Sequence, residues 1–204
     1  MNAGSPIAAI ILSGGASRRM GTPKALLNFQ GETFLDRLIR LFAAVADPVI
    51  VVAGEHAPQI RAGIARAGEV RWAVNPDPGR GMLSSLQCAL RELPGTAEAV
   101  FFLPVDHPHI QPSTLEALIA QFAGARPPVA VPVYQGVHGH PVLISRAVAG
   151  ELAALPVTAL ASDVIHRHVP ETSYVEVQDP AVVRDVDDPA AYAELVADHP
   201  AGKT

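Results

Sequence analysis

The chain has 204 residues, 49% apolar and 17% charged, a composition that excludes wholesale disorder and supplies one α/β-sized core. Its net charge of −5 gives no basic field for a nucleic acid, and its single cysteine, Cys88, excludes an internal disulfide. No secretory leader is visible and no apolar run reaches the roughly 18 residues of a membrane span, so a cytoplasmic protein with no membrane or nucleic-acid partner, one domain over 1–204, is expected.

Short apolar, β-branched runs alternate with helical patterns. Ile7 to Leu12 reads as a buried strand ending at Ser13-Gly14-Gly15, and Phe34 to Val45 as a helix with apolar residues at helical spacing. Val49 to Ala53 is a second strand, Gln59 to Ala67 a modest helix and Val70 to Val74 a third strand. A Pro/Gly-rich loop, NPDPGRG, leads into a helix over Gly81 to Leu93, and Val100 to Leu103 is the next strand. Pro112 opens a helix to Phe122, as a first-turn proline often does, and Val129 to Val133 is again a strand. This order predicts an α/β fold of three layers, with a mostly parallel sheet between helices. Beyond Tyr134 the rhythm changes. QGVHGHPVLI predicts a turn feeding an antiparallel strand, and helical patterns cover Ala147 to Ala154 and Thr158 to His168. Tyr174 to Val177 and Val182 to Val186 predict short strands, and Pro189 to Val196 a closing helix.

In an open parallel sheet, ligands bind on the loops that follow the strands. The first such loop, LSGGASRRMGTPK (Leu12 to Lys24), joins glycines that let amides turn toward phosphate oxygens with the cations Arg18, Arg19 and Lys24. Of 15 basic residues only Lys24 and Lys203 are lysines, which makes the ammonium in this loop conspicuous. The loop has neither the GxxxxGK[ST] of a P-loop nor the GxGxxG of a dinucleotide fold. Asp106 follows an apolar strand, so its carboxylate should emerge at the ligand edge, where it suits Mg²⁺ held by few carboxylates plus phosphates and water. Asn75, Ser84 and Ser85 offer neutral hydrogen-bonding groups for a base or ribose, although serines at a helix start equally serve as caps. The pairs His107/His109, His138/His140 and His166/His168 read as surface groups rather than as a zinc set.

The string LSGGASRRMGTPKALL resembles the nucleotide-binding signature of the MobA/MocA-like molybdenum-cofactor nucleotidyltransferases, roughly L-A-[AG]-G-x-S-x-R-M-G-x-x-K. Leu12, Gly14, Gly15, Ser17, Arg19, Met20, Gly21 and Lys24 match it, and Ser13 replaces the usual alanine. Three further stretches agree in order: Asn75-Pro76-Asp77 with Gly81 to Leu86, Leu103 to Pro108, and Gly139-His140-Pro141. Near the end, Asp185-Val186-Asp187-Asp188-Pro189 is similar to the family's D-[IV]-D-T-P.

The resemblance implies a Rossmann-like fold of the GT-A type and a nucleotidyltransferase. In it, Leu12, Ser13, Gly14, Gly15, Lys24, Asn75, Ser84 and Ser85 contact the nucleotide, and Arg19, Lys24 and Asp106 are catalytic. Asp106 and Asp187 hold Mg²⁺, while His140, Asp163 and Arg167 face the acceptor. The implied reaction moves an NMP from CTP or GTP to molybdopterin or its molybdenum form, with release of pyrophosphate and a molybdoenzyme as a further partner. Pro23 and the Gly-His-Pro segment look like the CTP-using branch, Gly14-Gly15 like the GTP-using one. The stretch Ser162 to Arg167 departs from the cytidylyltransferases' G-D-x-G-A-R, keeping only Asp163 and Arg167.

For Asp187 to join the metal, Val182 to Val186 should return to the sheet beside Val100 to Leu103. Without metal the two carboxylates should then repel, raising at least one pKa. Asp188 before Pro189 reads as a helix N-cap. Two other readings stand beside this one: nucleotidyl transfer to a sugar or polyol phosphate, and a non-catalytic cofactor-binding chaperone for a molybdoenzyme.

Overall fold

The computed structural model describes residues 6–15, 19–156 and 158–199; Ser17, Arg18 and Lys203 lie outside the described residues. In chain order the elements are β1 (Ile7–Ser13), β2 (Asn28–Phe29), β3 (Glu32–Thr33), α1 (Phe34–Ala43), β4 (Val49–Ala53), α2 (Ala57–Gly63) and β5 (Arg71–Val74). There follow α3 (Met82–Leu90), β6 (Ala99–Pro104), α4 (Pro112–Ala125), β7 (Val129–Tyr134), β8 (Val137–His138) and β9 (Val142–Ser145). The chain continues through α5 (Arg146–Ala154), α6 (Ala161–Arg167), β10 (Ser173–Glu176) and α7 (Pro189–Asp198).

The main sheet runs β10-β7-β9-β6-β1-β4-β5, with β8 paired to β7. β1 is parallel to both β4 and β6, β4 to β5, and β10 to β7, whereas β9 runs antiparallel between β6 and β7. Every residue of β1 is buried, because helices cover both faces and successive side chains point to opposite ones. Ala9, Ile11, Val51, Phe101 and Leu103 pack with α1, α4 and α7. Ala8, Ile10, Leu12, Val52 and Phe102 pack with α3, α5 and α6. Among the described residues no helix is long and apolar enough to cross a membrane.

From β1 the chain adds β4 and β5 on one side and then crosses back to place β6 on the other. Strand order therefore reverses at β1, and the loops after β1 and β6 part over the carboxyl ends of the strands to leave a crevice.

One expected strand is absent. Residues 182–186 do not join the sheet, and β9 occupies the edge of β6 where that strand was expected. Instead Pro180–Val183 forms a 3-10 turn in which Asp179 accepts a hydrogen bond from the Ala181 N–H. Pro180 has no N–H to give to a sheet ladder, and the aspartate offers the turn an alternative partner. The segment still reaches the sheet end, because the Val186 N–H donates to the Asp106 carbonyl at 2.9 Å.

Candidate active site

The crevice is a cleft of about 490 Å³. Among the described residues its walls come from Leu12 to Gly15, Arg19, Pro23 and Lys24 on one side, and Pro104 to Asp106 with Asp187 on another. Pro78, Gly81, Met82 and Ser85 close it from the loop before α3. Gly81 sits at φ +90°, a backbone conformation that a side chain disfavours, and this lets the loop turn directly into the helix.

Lys24 reaches the cleft from a 3-10 turn, Lys24–Leu26, that follows Pro23. Its Nζ donates to Asp106 Oδ2 at 2.8 Å and to Asp187 Oδ1 at 2.5 Å, with the lysine side chain only 12% exposed. Burial alone would lower the lysine pKa, but hydrogen bonds and charge from Asp106 and Asp187 outweigh it and raise the pKa above its ordinary value. The expected repulsion between the acids is thus corrected: the hydrogen bond from Lys24 holds the Asp187 carboxyl below the usual range. Arg19 approaches Asp187 more loosely, at 3.9 Å, and is largely exposed.

Asp185, quoted in the sequence motif but given no role there, joins the cluster: Asp106, Asp185 and Asp187 each offer an oxygen within 4.8 Å of the others. The signal was the spacing of two, which puts side chains on one side of an extended segment. Asp106 Oδ1 is buried without a hydrogen-bond partner among the described residues. Asp188 turns away and caps α7, accepting from the Ala191 N–H at 2.9 Å.

The other expected residues divide. Ser85 lines the cleft, but Asn75 and Ser84 do not. The buried Asn75 amide donates to Ser84 Oγ at 2.8 Å and to Ser85 Oγ at 2.9 Å, and its Oδ1 accepts from the Asp77 N–H. These bonds knit the NPDPGRG loop. Asp163 accepts from the Leu160 N–H at the start of α6, and Arg167 pairs with Glu151 at 3.1 Å; neither lines the cleft.

The expectation of surface groups holds for His138 and His166, which are exposed, but not for the buried His107 or the half-buried His140. His107 is 6% exposed and its Nδ1 lies 3.2 Å from the Ala181 carbonyl, so that nitrogen carries the proton. His140 packs its ring 5.3 Å from that of His107 and edge-on to Phe102. Burial, then the neighbouring His107, push the His140 pKa down to about 4. A side chain at Gly139 would overlap the Val182 backbone, so only glycine lets this segment close on the 180–183 turn.

Asp179 went unnoticed in the sequence. It is 2% exposed and accepts from the Gln111 N–H, the Thr114 hydroxyl and the Ala181 N–H, tying the loop after β6 to the segment that carries Asp185 and Asp187. The sequence held a signal, since Asp179-Pro180 repeats the acid-proline start of Asp188-Pro189.

A mixed sheet between helices, with a glycine-walled cleft, an ammonium and three carboxylates at its switch point, defines a three-layer α/β domain of the GT-A-like type. The chain belongs to the MobA-like NTP transferase domain family, whose sequence profile matches residues 9–172. It is 38% identical over 112 residues to a protein of Synechococcus elongatus named "Probable molybdenum cofactor guanylyltransferase", covering 54% of this chain and 55% of that one. It is 25% identical over 186 residues to the molybdenum cofactor cytidylyltransferase of Escherichia coli K12, covering 91% and 93%. The chain spans about half the length of the guanylyltransferase relatives it matches first. Rv0371c of Mycobacterium tuberculosis H37Rv superposes with a TM-score of 0.83 at 31% identity, over 95% of this chain and 98% of that one. A manganese complex of Rv0371c does so with a TM-score of 0.78 at 29% identity, over 94% and 98%.

Proposed function

We propose that the protein is a molybdenum-cofactor nucleotidyltransferase that moves an NMP from GTP or CTP to a molybdopterin-type acceptor and releases pyrophosphate. The observation that carries this reading is the meeting of Lys24 with Asp106 and Asp187 at the floor of a glycine-walled cleft. The names of the guanylyl- and cytidylyltransferase relatives support it.

Asp106, Asp187 and Asp185 would hold Mg²⁺, the manganese complex of Rv0371c supporting a divalent ion here. The residues fit such an ion, being anionic oxygen donors, one of them the buried Asp106 Oδ1, which has no hydrogen-bond partner among the described residues. When bound, it would supply positive charge that offsets the negative charge of the reacting phosphates. The chain's own task is alignment. Gly14 and Gly15 let the triphosphate approach the backbone, while Lys24 and Arg19 meet its oxygens. As an acceptor phosphate oxygen bonds to the α-phosphorus, the bond to the bridging oxygen breaks, and negative charge grows on pyrophosphate. A compact ammonium and a guanidinium beside it stabilise that charge. No side-chain nucleophile is needed. His140 does not line the cleft but packs on His107, the neighbour of Asp106, and is the acceptor contact we favour; Asp163 and Arg167 would have to leave a cap and an ion pair to serve it.

The test is pyrophosphate release with each of the four NTPs, with and without molybdopterin and Mg²⁺. Release confined to GTP or CTP, and dependent on both additions, is expected. Release with a sugar or polyol phosphate but none with molybdopterin would replace the acceptor. Nucleotide binding with no release under any combination would favour a cofactor-binding chaperone.

A further inference from the structure

We infer that Lys24 occupies the divalent cation's place in the nucleotide-free protein and must leave before the cation can bind. The inference rests on the metal reading above and deepens it. Asp106, Asp185 and Asp187 present oxygens within 4.8 Å of one another, a set whose centre is the natural seat of a cation. The Lys24 ammonium already engages two of the three carboxylates, Asp106 and Asp187. The Lys24 ammonium lies 2.8 Å from Asp106 and 2.5 Å from Asp187, so it draws on the same two carboxylates that would ligate the ion. A divalent cation bound to both would stand within a few ångströms of Nζ, and two positive charges at that range repel strongly away from bulk water.

The ammonium is an incomplete stand-in. It hydrogen-bonds one oxygen of Asp106 and leaves Oδ1 buried with no hydrogen-bond partner among the described residues. A cation that ligates carboxylates from several directions has a use for that oxygen, whereas a tetrahedral ammonium at the end of a four-carbon stem does not reach it. Lys24 also needs somewhere to go. It lines the same cleft as Gly14 and Gly15, so phosphate oxygens arriving there offer the ammonium new partners as it gives up the carboxylates. Cation and nucleotide then enter together: each removes an obstacle to the other, and metal alone meets a site closed by the protein's own charge.

The experiment is Mn²⁺ binding to the full-length, nucleotide-free protein, read from the electron paramagnetic resonance signal of free Mn²⁺. Wild type, Lys24→Gln and Arg19→Gln are compared after circular dichroism has verified folding, with Lys24→Met as the substitute if the glutamine variant does not fold. Both glutamine variants remove one positive charge near Asp187, but only Lys24 sits between the carboxylates. Lys24→Gln is expected to bind Mn²⁺ at least about tenfold more tightly than wild type, and Arg19→Gln within about threefold of it. Equal or weaker binding by Lys24→Gln overturns the inference and leaves the metal reading standing. An equal gain in Arg19→Gln also overturns it, reducing the effect to general charge. Failure of every protein to bind Mn²⁺ at millimolar concentration overturns the inference, since removing Lys24 then opens no site, and the same titration with GTP or CTP present decides the metal reading separately.

Discussion

The backbone N–H of Val186 donates to the carbonyl of Asp106 at 2.9 Å, joining two segments 80 positions apart in the chain. Because side chains alternate along an extended segment, Asp185 and Asp187 on either side of Val186 can both turn to the carboxylate of Asp106. This bond, with those that Asp179 accepts from Gln111 and Thr114, does what a returning strand was expected to do.

Replacing Lys24 with alanine is expected to lower kcat/KM for nucleotidyl transfer by about 10²- to 10³-fold while the fold persists. Lys24→Arg should recover little of it, because a planar guanidinium does not replace a compact ammonium on the triphosphate oxygens. Steady-state kinetics with thermal melting of each variant checks both statements. Wild-type kinetics in Lys24→Ala would remove the residue from the mechanism.

Asp187 and Asp188 are neighbours with different partners, so their alanine variants should separate. Asp187→Ala is expected to lose Mn²⁺ affinity and activity together with little change in stability. Asp188→Ala removes the acceptor of the Ala191 N–H and should cost about 1 kcal/mol of stability with activity largely kept. Urea unfolding and metal titration on the two proteins decide the matter, and the reverse pattern would exchange their roles.

Asp179 receives three hydrogen bonds in a buried setting. Asp179→Ala leaves two backbone N–H groups and one hydroxyl without an acceptor, and is expected to destabilise the protein by about 3 kcal/mol. Activity should fall as well, since the same bonds position the segment of Asp185 and Asp187. Asp179→Asn keeps one acceptor oxygen and should lie between alanine and wild type in chemical denaturation. A loss under about 1 kcal/mol in the alanine variant would contradict this role.

Burial above all, with electrostatic interaction with His199 and His107, pushes His109 down to a pKa of about 4, and its Nδ1 has no hydrogen-bond partner among the described residues. In the unfolded chain the same group titrates near its ordinary 6.5. The unfolded state therefore takes up a proton that the folded state refuses, and this contribution to stability is present above about 6.5 and is lost as pH falls toward 4. Urea midpoints between pH 7 and pH 5 should decline in wild type and decline less in His109→Asn. Parallel slopes in the two proteins would show that His109 contributes nothing to the acid sensitivity.

The chain's periodicity alone determined the alternation of buried strands with helices, because burial on both faces of a parallel sheet demands continuous apolar runs such as Ile7 to Leu12 and Val49 to Ala53. It also placed Lys24 and Asp106 on loops after strands, where the switch-point rule puts ligands. Helix starts were legible where chemistry is local, as at Pro112 and at Asp188-Pro189. The meeting of Asp106 with Asp187 was implied by the family resemblance, but only the tertiary structure showed how it is made and that Asp185 joins it. Asp185 and Asp187 reach Asp106 from a segment that is not a strand, held by the Val186 N–H on Asp106 and by Asp179, and no local pattern encodes a contact across 80 residues. The fate of the polar groups was likewise beyond local reading. Asn75 donates to Ser84 and Ser85, His107 lies buried under a carbonyl, and Lys24 takes the place between two carboxylates. Hydrogen bonding and ion pairing act at about 3 Å, so a polar side chain's partner is fixed by which distant segments the packed core brings together, not by its neighbours in sequence.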